Sequence, residues 1–211
     1  MFSDWYVPGY KAGGPIKSVK DMIQLLADYF QIHVITRNTD WMDSIPYEME
    51  SDKWVDQQGV KVMYLSGSYL SFNLNLVKKL SPDDVVFFNG IYSPFFNSFP
   101  IIRLLLKTRR AKTIISARGM LNPNALALKP FRKKLILGLM KFLGVERKCV
   151  FHAASELEEK SIINVFRNAQ VKAASNIPAI PKQERLKIDA YDLKRFLSVG
   201  RISPVKNSSF L

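Results

Sequence analysis

The sequence predicts an α/β protein whose doubly wound sheet is built mainly from parallel strands. Apolar runs of strand length alternate along the chain with stretches that repeat apolar residues at helical spacing. Several of the strand-like runs are apolar at consecutive positions, as in strands buried on both faces of a parallel sheet. The 211 residues are 47% hydrophobic and 23% charged, which indicates a packed core and excludes a disordered chain.

Seven short runs, most of them rich in β-branched residues, are the predicted strands. They span residues 32–36, 59–65, 84–88, 112–116, 149–154, 171–174 and 196–200.

Four helices are predicted between these strands. Residues 15–30 place apolar side chains on one face, with Pro15 near the first turn, where a missing N–H costs little. Ser155 and Glu158 form a capping box that opens a helix ending near Phe166. Residues 94–107 and a long basic stretch, 126–143, show the other amphipathic patterns.

The best candidate for a linker is a Pro-rich and then polar segment, residues 177–184. We therefore expect a first domain over residues 1–176, a linker over 177–194 and the start of a second domain over 195–211. The length suits one domain plus a piece of another.

The net charge of +13 is concentrated in a basic block, residues 101–150, which contains thirteen Lys and Arg but a single acid, Glu146. The first hundred residues carry a small acidic excess instead. Such a block favours an anionic partner, namely a lipid surface, phosphorylated ligands or nucleic acid, unless it is only a solvated face. Its aromatic residues are Phe131 and Phe142 alone, so no platform for stacking nucleic-acid bases is expected.

Cysteine and histidine are too few for several kinds of site. Cys149 is the only cysteine, which excludes an intramolecular disulfide and favours a reducing, cytoplasmic setting. With two separated histidines, His33 and His152, no metal site is expected. The first residues lack the pattern of a signal peptide, and the apolar run 135–143 is too short to span a bilayer.

A glycine pair, Gly13 and Gly14, directly precedes the first predicted helix. Paired glycines let the backbone approach a ligand, and a helix N-terminus offers N–H groups to a phosphate or a sugar hydroxyl. The same residues also fit a plain tight turn into a helix.

A second motif, with Arg118 and Asn122, follows a predicted strand. Ligands of open α/β sheets bind beyond the carboxyl ends of strands, and an arginine there can pair with a phosphate or carboxylate. Asn89 closes the preceding strand at an equivalent position, and His152 lies at the end of the next strand. The alternatives are a surface arginine beside a glycine turn and, at Asn89, a simple Asn-Gly turn.

A third motif, residues 199–207, places Arg201 at the end of a predicted strand and Lys206 five residues later. Two converging basic side chains can clamp a diphosphate, although a loop with two such residues is common. His33 lies inside a strand pattern and is interpreted as structural.

Taken together, four segments resemble the family-4 (group 1) glycosyltransferases of the GT-B fold. They are Tyr10–Pro15, Ser116–Leu121, Phe151–Glu156 and Val199–Asn207, in the order found in that family. The resemblance covers the whole chain but only the N-terminal half of the family's architecture. It implies Rossmann-like domains flanking a cleft, where a sugar moves from a nucleotide-sugar donor to an acceptor with retention and without a bound metal. It also implies cell-surface glycan synthesis, such as that of capsule, at the inner membrane face.

By this resemblance, one group of residues would bind the donor phosphates: Gly13, Gly14, Arg201 and Lys206. A second group would lie on the acceptor side, facing a glycan or lipid-linked acceptor: Asn89, Arg118, Asn122 and His152. No catalytic residue is assigned, and no cofactor is implied beyond the donor substrate. The basic block fits the family's docking on anionic lipid, which implies a peripheral location at the membrane.

Two departures from the family pattern qualify this expectation. The acidic motif of the second domain, which binds the donor's ribose and sugar, is not reached by Leu211, and only Met1–Phe2 remain of the first strand. That strand is central in a doubly wound sheet, so its shortening would leave ladder groups of its neighbours unpaired. We therefore expect a truncated enzyme that is inactive alone. The alternative is a non-catalytic module that docks on anionic membrane through its basic helix.

Overall fold

One β-sheet organises the part of the chain that the computed structural model describes, residues 1–57, 59–67, 69–107 and 111–176. Its eight strands are β1 (Phe2–Ser3), β2 (His33–Arg37), β3 (Trp54–Gln57), β4 (Val60–Leu65), β5 (Val85–Asn89), β6 (Lys112–Ser116), β7 (Val150–Ala153) and β8 (Gln170–Ala173). They lie in the order β3-β4-β2-β1-β5-β6-β7-β8, and every neighbouring pair is parallel except β3 with β4. The predicted α/β fold with a mostly parallel sheet is confirmed, and it is compatible with a Rossmann-like fold.

Helices connect most of the parallel strands. They are α1 (Gly14–Leu26), α2 (Tyr69–Lys79), α3 (Phe99–Leu105), α4 (Pro123–Ala127), α5 (Pro130–Phe142), α6 (Val145–Lys148) and α7 (Glu156–Val165), and a π-helical turn, Pro94–Ser98, precedes α3. Among the described residues, none of these helices has the length and apolar character needed to cross a membrane.

The core lies on both faces of the sheet. Val62 of β4 belongs to a cluster with Val19 of α1, whereas the next residue, Met63, belongs to a larger cluster with Val77 of α2 and Leu104 of α3. Successive residues of a strand point to opposite faces, so α1 covers one face of β4 while α2 and α3 cover the other. Helices on both faces are the arrangement that the term doubly wound describes.

Strand β1 is only two residues long, yet it lies in the middle of the sheet. Phe2 pairs with Ile35 of β2 on one side and with Phe88 of β5 on the other. Pairing with β2 extends beyond the strand, because the Ile35 N–H donates to the Met1 carbonyl at 2.9 Å. Phe2 is 1% exposed and its ring stacks on that of Phe88 with centroids 5.0 Å apart. The central position expected for the first strand is therefore observed.

The six predicted strands between residues 32 and 174 are confirmed to within one residue at each end, while 196–200 lies outside the described residues. The helix predicted over 126–143 is wrong as one element. It is two helices, because the backbone is extended at Leu128 and left-handed at Lys129 before Pro130 starts α5. Proline disfavours a helical conformation in the residue before it, which explains the break.

Three elements, α2, β3 and the short helix α6, were not predicted at all. Helix α2 mixes Ser and Asn among its apolar residues, so its helical periodicity is weak. Strand β3 has only four residues and pairs as an antiparallel edge, with no run of consecutive apolar residues to reveal it.

Candidate functional site

Four polar residues lie side by side across the carboxyl ends of four strands. The register pairs Ser3 with Asn89, Asn89 with Ser116, and Ser116 with His152. We call these four residues the polar row. Residues in register on neighbouring strands point to the same face of the sheet, and two side-chain hydrogen bonds join them, Asn89 Nδ2 to Ser3 Oγ at 3.1 Å and Ser116 Oγ with His152 Nδ1 at 2.9 Å.

Arg118 follows the row on the loop after β6. Its Nε donates to Asn89 Oδ1 at 2.6 Å, and its Nη1 donates to Asn176 Oδ1 at 2.7 Å. Burial lowers the pKa of Arg118, an effect that the nearby Glu158 carboxylate opposes. Among the described residues the guanidinium makes no ion pair within 4.0 Å. A partly buried cation that is hydrogen-bonded to neutral amides is suited to bind an anion.

Glu158 fixes the loops around Arg118 instead of pairing with it. Its Oε1 accepts the Gly119 N–H and its Oε2 accepts the Ala154 N–H, both at 2.8 Å. The carboxylate therefore ties the loop after β6 to the loop after β7. The predicted cap is present, since Ser155 Oγ accepts the Glu158 N–H, but the Glu158 side chain reaches beyond its own helix.

Both ring nitrogens of His152 form hydrogen bonds within the protein. Nε2 lies 2.9 Å from the Ala174 carbonyl, which can only accept, so Nε2 carries the hydrogen there. Nδ1 lies 2.9 Å from the Ser116 hydroxyl and forms a hydrogen bond with it. The ring thus fastens the segment after β8 to the sheet edge, and that segment continues to the Asn176 that contacts Arg118.

A second charged group lies at the carboxyl ends of β1 and β2. Arg37 Nη2 contacts Asp4 Oδ1 at 2.6 Å, and the Ser93 hydroxyl donates to the same oxygen at 2.6 Å. The guanidinium lies between two rings, 4.8 Å from the centroid of Trp5 and 5.3 Å from that of Phe96. This pair is satisfied internally, in contrast to Arg118, and it makes the edge beside the polar row rigid.

The two predicted glycines form the turn into α1. Gly13 is its N-cap with φ of 73°, a backbone conformation that favours glycine, and Gly14 is its first residue. Nothing lies within 4 Å of where a Cβ on Gly14 would be, so the space in front of it is open. The Asp40 carboxylate holds the segment before this turn, because it accepts hydrogen bonds from the N–H groups of Tyr10 and Lys11.

The structure brings together three of the predicted acceptor-side residues, Asn89, Arg118 and His152. Asn122 does not join them through a hydrogen bond in the described part of the chain, because its side chain caps α4 by accepting the Asn124 N–H at 3.0 Å. The predicted donor residues Arg201 and Lys206 lie outside the described residues.

Sequence reasoning missed several residues of this edge: Ser3, Asp4, Arg37, Ser116 and Glu158. Ser3 and Ser116 end their strands just as Asn89 does, so polar strand ends compared strand by strand would have found them.

The arrangement can bind an anionic group at Arg118 beside a rim of hydroxyl and amide groups. Within the described residues, no group of three or more His, Cys, Asp and Glu side chains could hold a metal ion. Comparison of the chain with family models, curated proteins and solved structures gives no match.

Proposed function

We propose that the chain is a retaining glycosyltransferase of GT-B architecture, which transfers a sugar from a nucleotide-sugar donor to a polysaccharide or lipid-linked acceptor. Its pathway would be cell-surface glycan synthesis on the cytoplasmic side of a membrane. The observation that carries the proposal is Arg118, a partly buried guanidinium that makes no ion pair within 4.0 Å among the described residues. It lies at the sheet edge where open α/β folds bind ligands. The order of the four sequence motifs supports it.

Each group of residues has a role in this proposal. Arg118 and Asn89 bind the acceptor, Arg118 through an anionic group such as a lipid phosphate. The turn at Gly13 and Gly14 faces the donor. Breaking the bond between sugar and diphosphate leaves negative charge on the nucleotide, and cationic side chains at Arg201 and Lys206 would stabilise that charge without a metal.

The test replaces Arg118 by glutamine, which keeps hydrogen bonding but removes the charge. Binding of a short-chain prenyl phosphate is measured by calorimetry, and sugar transfer to membrane extracts is measured with a panel of labelled nucleotide sugars. The matched control is Lys112→Gln, an exposed cation at the opposite end of β6. We expect Arg118→Gln to weaken phosphate binding by about tenfold or more and Lys112→Gln to leave it unchanged. Equal effects of the two variants, or absence of both binding and transfer in the unaltered chain, would contradict the proposal.

The second part of the proposal is docking on anionic membrane through α5. This helix exposes more apolar surface than it buries: only Leu137 and Met140 are buried. The exposed apolar side chains lie at helical spacing along one stripe, namely Phe131 (80% exposed), Leu135 (67%), Leu139 (42%) and Phe142 (86%).

Cations flank this stripe. By helical spacing, Arg132 lies on one side of it and Lys134 on the other, and both are exposed. An apolar stripe between basic residues is the pattern of helices that lie in the interface of an anionic bilayer.

Liposome flotation tests the docking. We expect the chain to float with vesicles that contain phosphatidylglycerol and not with pure phosphatidylcholine, and salt to weaken the binding. The double variant Phe131→Ser and Phe142→Ser should abolish flotation, whereas Phe30→Ser, at a phenylalanine exposed beyond the C-terminus of α1, should not. Binding that ignores lipid charge would overturn this part. Docking without phosphate binding at Arg118 would favour the alternative, a non-catalytic membrane-binding module.

A further inference from the structure

Two loops at the carboxyl edge of the sheet are joined by one buried carboxylate. They are residues 4–13 after β1 and residues 38–53 after β2, which we call the loop pair. Asp40 is 5% exposed, and its Oδ2 accepts the N–H groups of Tyr10 at 2.8 Å and Lys11 at 3.0 Å, while Oδ1 accepts the N–H of Trp41 at 2.7 Å. Although burial acts to raise the pKa of Asp40, these three hydrogen bonds and the nearby Lys11 charge lower it. The carboxylate therefore remains charged and holds both loops.

The loop pair displays large apolar side chains on this fixed backbone. Tyr10 is 75% exposed, Met42 84% and Ile45 76%, and Trp41 is 39% exposed. The backbones of Tyr10 and Trp41 hydrogen-bond to the same carboxylate, so the two aromatic residues lie on neighbouring segments. Met42 has φ of 59°, a left-handed conformation that is rare for a side chain of its size. Exposed aromatic residues on rigid loops indicate a binding surface.

The charge around the loop pair limits what can bind there. The loop pair contains six acidic residues and two basic ones, Lys11 and Lys53. This acidic excess disfavours phosphate groups, nucleic acid and anionic lipid. Exposed aromatic rings can pack against the C–H faces of a sugar ring, and carboxylates accept hydrogen bonds from its hydroxyl groups.

We infer that the loop pair binds neutral sugar residues of the acceptor, with Tyr10 as the stacking residue. The inference rests on the proposed function and adds the substrate class: the acceptor presents an uncharged glycan to the loop pair and its anionic group to Arg118. The two halves of this site follow neighbouring strands. The loop pair follows β1 and β2. The other half lies where β5 ends at Asn89 and where β6 leads to Arg118.

The test measures binding of neutral hexasaccharides by saturation-transfer NMR and calorimetry, with no donor present. The probes are maltohexaose, cellohexaose and the hexamer of N-acetylglucosamine. We expect at least one to bind, Tyr10→Ala to weaken its binding about three- to tenfold, and Tyr10→Phe to retain it. The matched control is Tyr29→Ala, a tyrosine that is 79% exposed beyond the C-terminus of α1.

The outcomes separate this inference from the proposed function. Lys112→Gln, at an exposed lysine outside the proposed site, should leave binding of the neutral saccharides unchanged. Met42→Gly should weaken saccharide binding without lowering the melting temperature, since glycine accepts a φ of 59°. If none of the three saccharides binds, or if Tyr10→Ala and Tyr29→Ala behave alike, the inference is wrong even where Arg118 binds phosphate. Loss of liposome flotation in Tyr10→Ala would likewise overturn it in favour of a lipid contact.

Discussion

Arg118 has a backbone conformation that usually belongs to glycine. Its φ is 51°, and a non-glycine residue in this left-handed region costs about 1 kcal/mol or more. The conformation places the guanidinium against Asn89 and Asn176. The backbone is therefore strained at the residue that carries the cationic side chain. Backbone strain of this kind is a pattern found at binding sites.

Comparing two truncations of Arg118 isolates this strain. Arg118→Gly and Arg118→Ala both remove the side chain, but only glycine adopts the backbone conformation without strain. We expect Arg118→Gly to be more stable than Arg118→Ala by about 1 kcal/mol in urea unfolding. Equal free energies of unfolding would show that the backbone at residue 118 carries no strain.

Asp40 makes the stability depend on pH. The folded state lowers its pKa below the ordinary value of 3.8, so its contribution is present above that pH and is lost as the pH falls through the folded pKa. We expect Asp40→Asn to lower the free energy of unfolding at pH 7 by about 1–3 kcal/mol and by less at pH 3. The exposed Asp28→Asn is the control. An equal loss at both pH values would contradict the role of the charge.

At the scale of elements, several cations of the basic block stabilise the C-terminal ends of helices. Lys107 Nζ donates to the carbonyls of Val77 at 2.7 Å and Leu80 at 2.9 Å, at the C-terminus of α2. Lys148 Nζ donates to the Leu105 carbonyl at the end of α3, and Lys133 Nζ donates to the Ala125 carbonyl of α4. Cations at helix C-termini complement the helix dipole and the unpaired carbonyl groups. The charge available to an anionic partner is correspondingly smaller than the sequence indicates.

Replacing Lys107 tests this use of charge. Lys107→Met should cost about 1–3 kcal/mol of unfolding free energy, because it leaves carbonyl groups at the end of α2 without their donor. Lys112→Met, at an exposed lysine on β6, should stay within about 0.5 kcal/mol of the unaltered chain. Liposome flotation of Lys107→Met should be unchanged, and a drop in flotation would place Lys107 on the docking surface instead.

The sequence alone predicts the elements that have strong local patterns and the polar residues at the ends of those elements. The strands that contain Asn89 and His152, and the strand that precedes Arg118, were predicted because each is a short run centred on apolar or β-branched residues. The Asp4–Arg37 pair and the Asp40 contacts were not predictable, because they join segments that are adjacent only through the order of β1 and β2 in the sheet. Pairing across strands depends on strand order, which periodicity does not contain.

At the scale of the whole molecule, the sheet depends on its shortest strand. Phe2 connects the half formed by β2, β4 and β3 to the half that begins at β5. Its ring is buried against Phe88. We expect Phe2→Ala to cost about 3–5 kcal/mol in urea unfolding, whereas Phe30→Ala, at an exposed ring, should cost less than about 0.5 kcal/mol. A loss below about 1 kcal/mol for Phe2→Ala would mean that the two halves are stable without this contact.

The polar row makes the candidate site depend on the correct register of the strands. Its members come from four strands, and the neighbours Ser3 and Asn89 are 86 positions apart in the chain. A slip of one residue in any of these strands would turn that strand's polar side chain to the opposite face of the sheet. In β5, such a slip would remove the Asn89 amide oxygen, which anchors Arg118. The phosphate binding proposed for Arg118 would thus report on the alignment of β5, because a molecule misaligned there would lack this anchor.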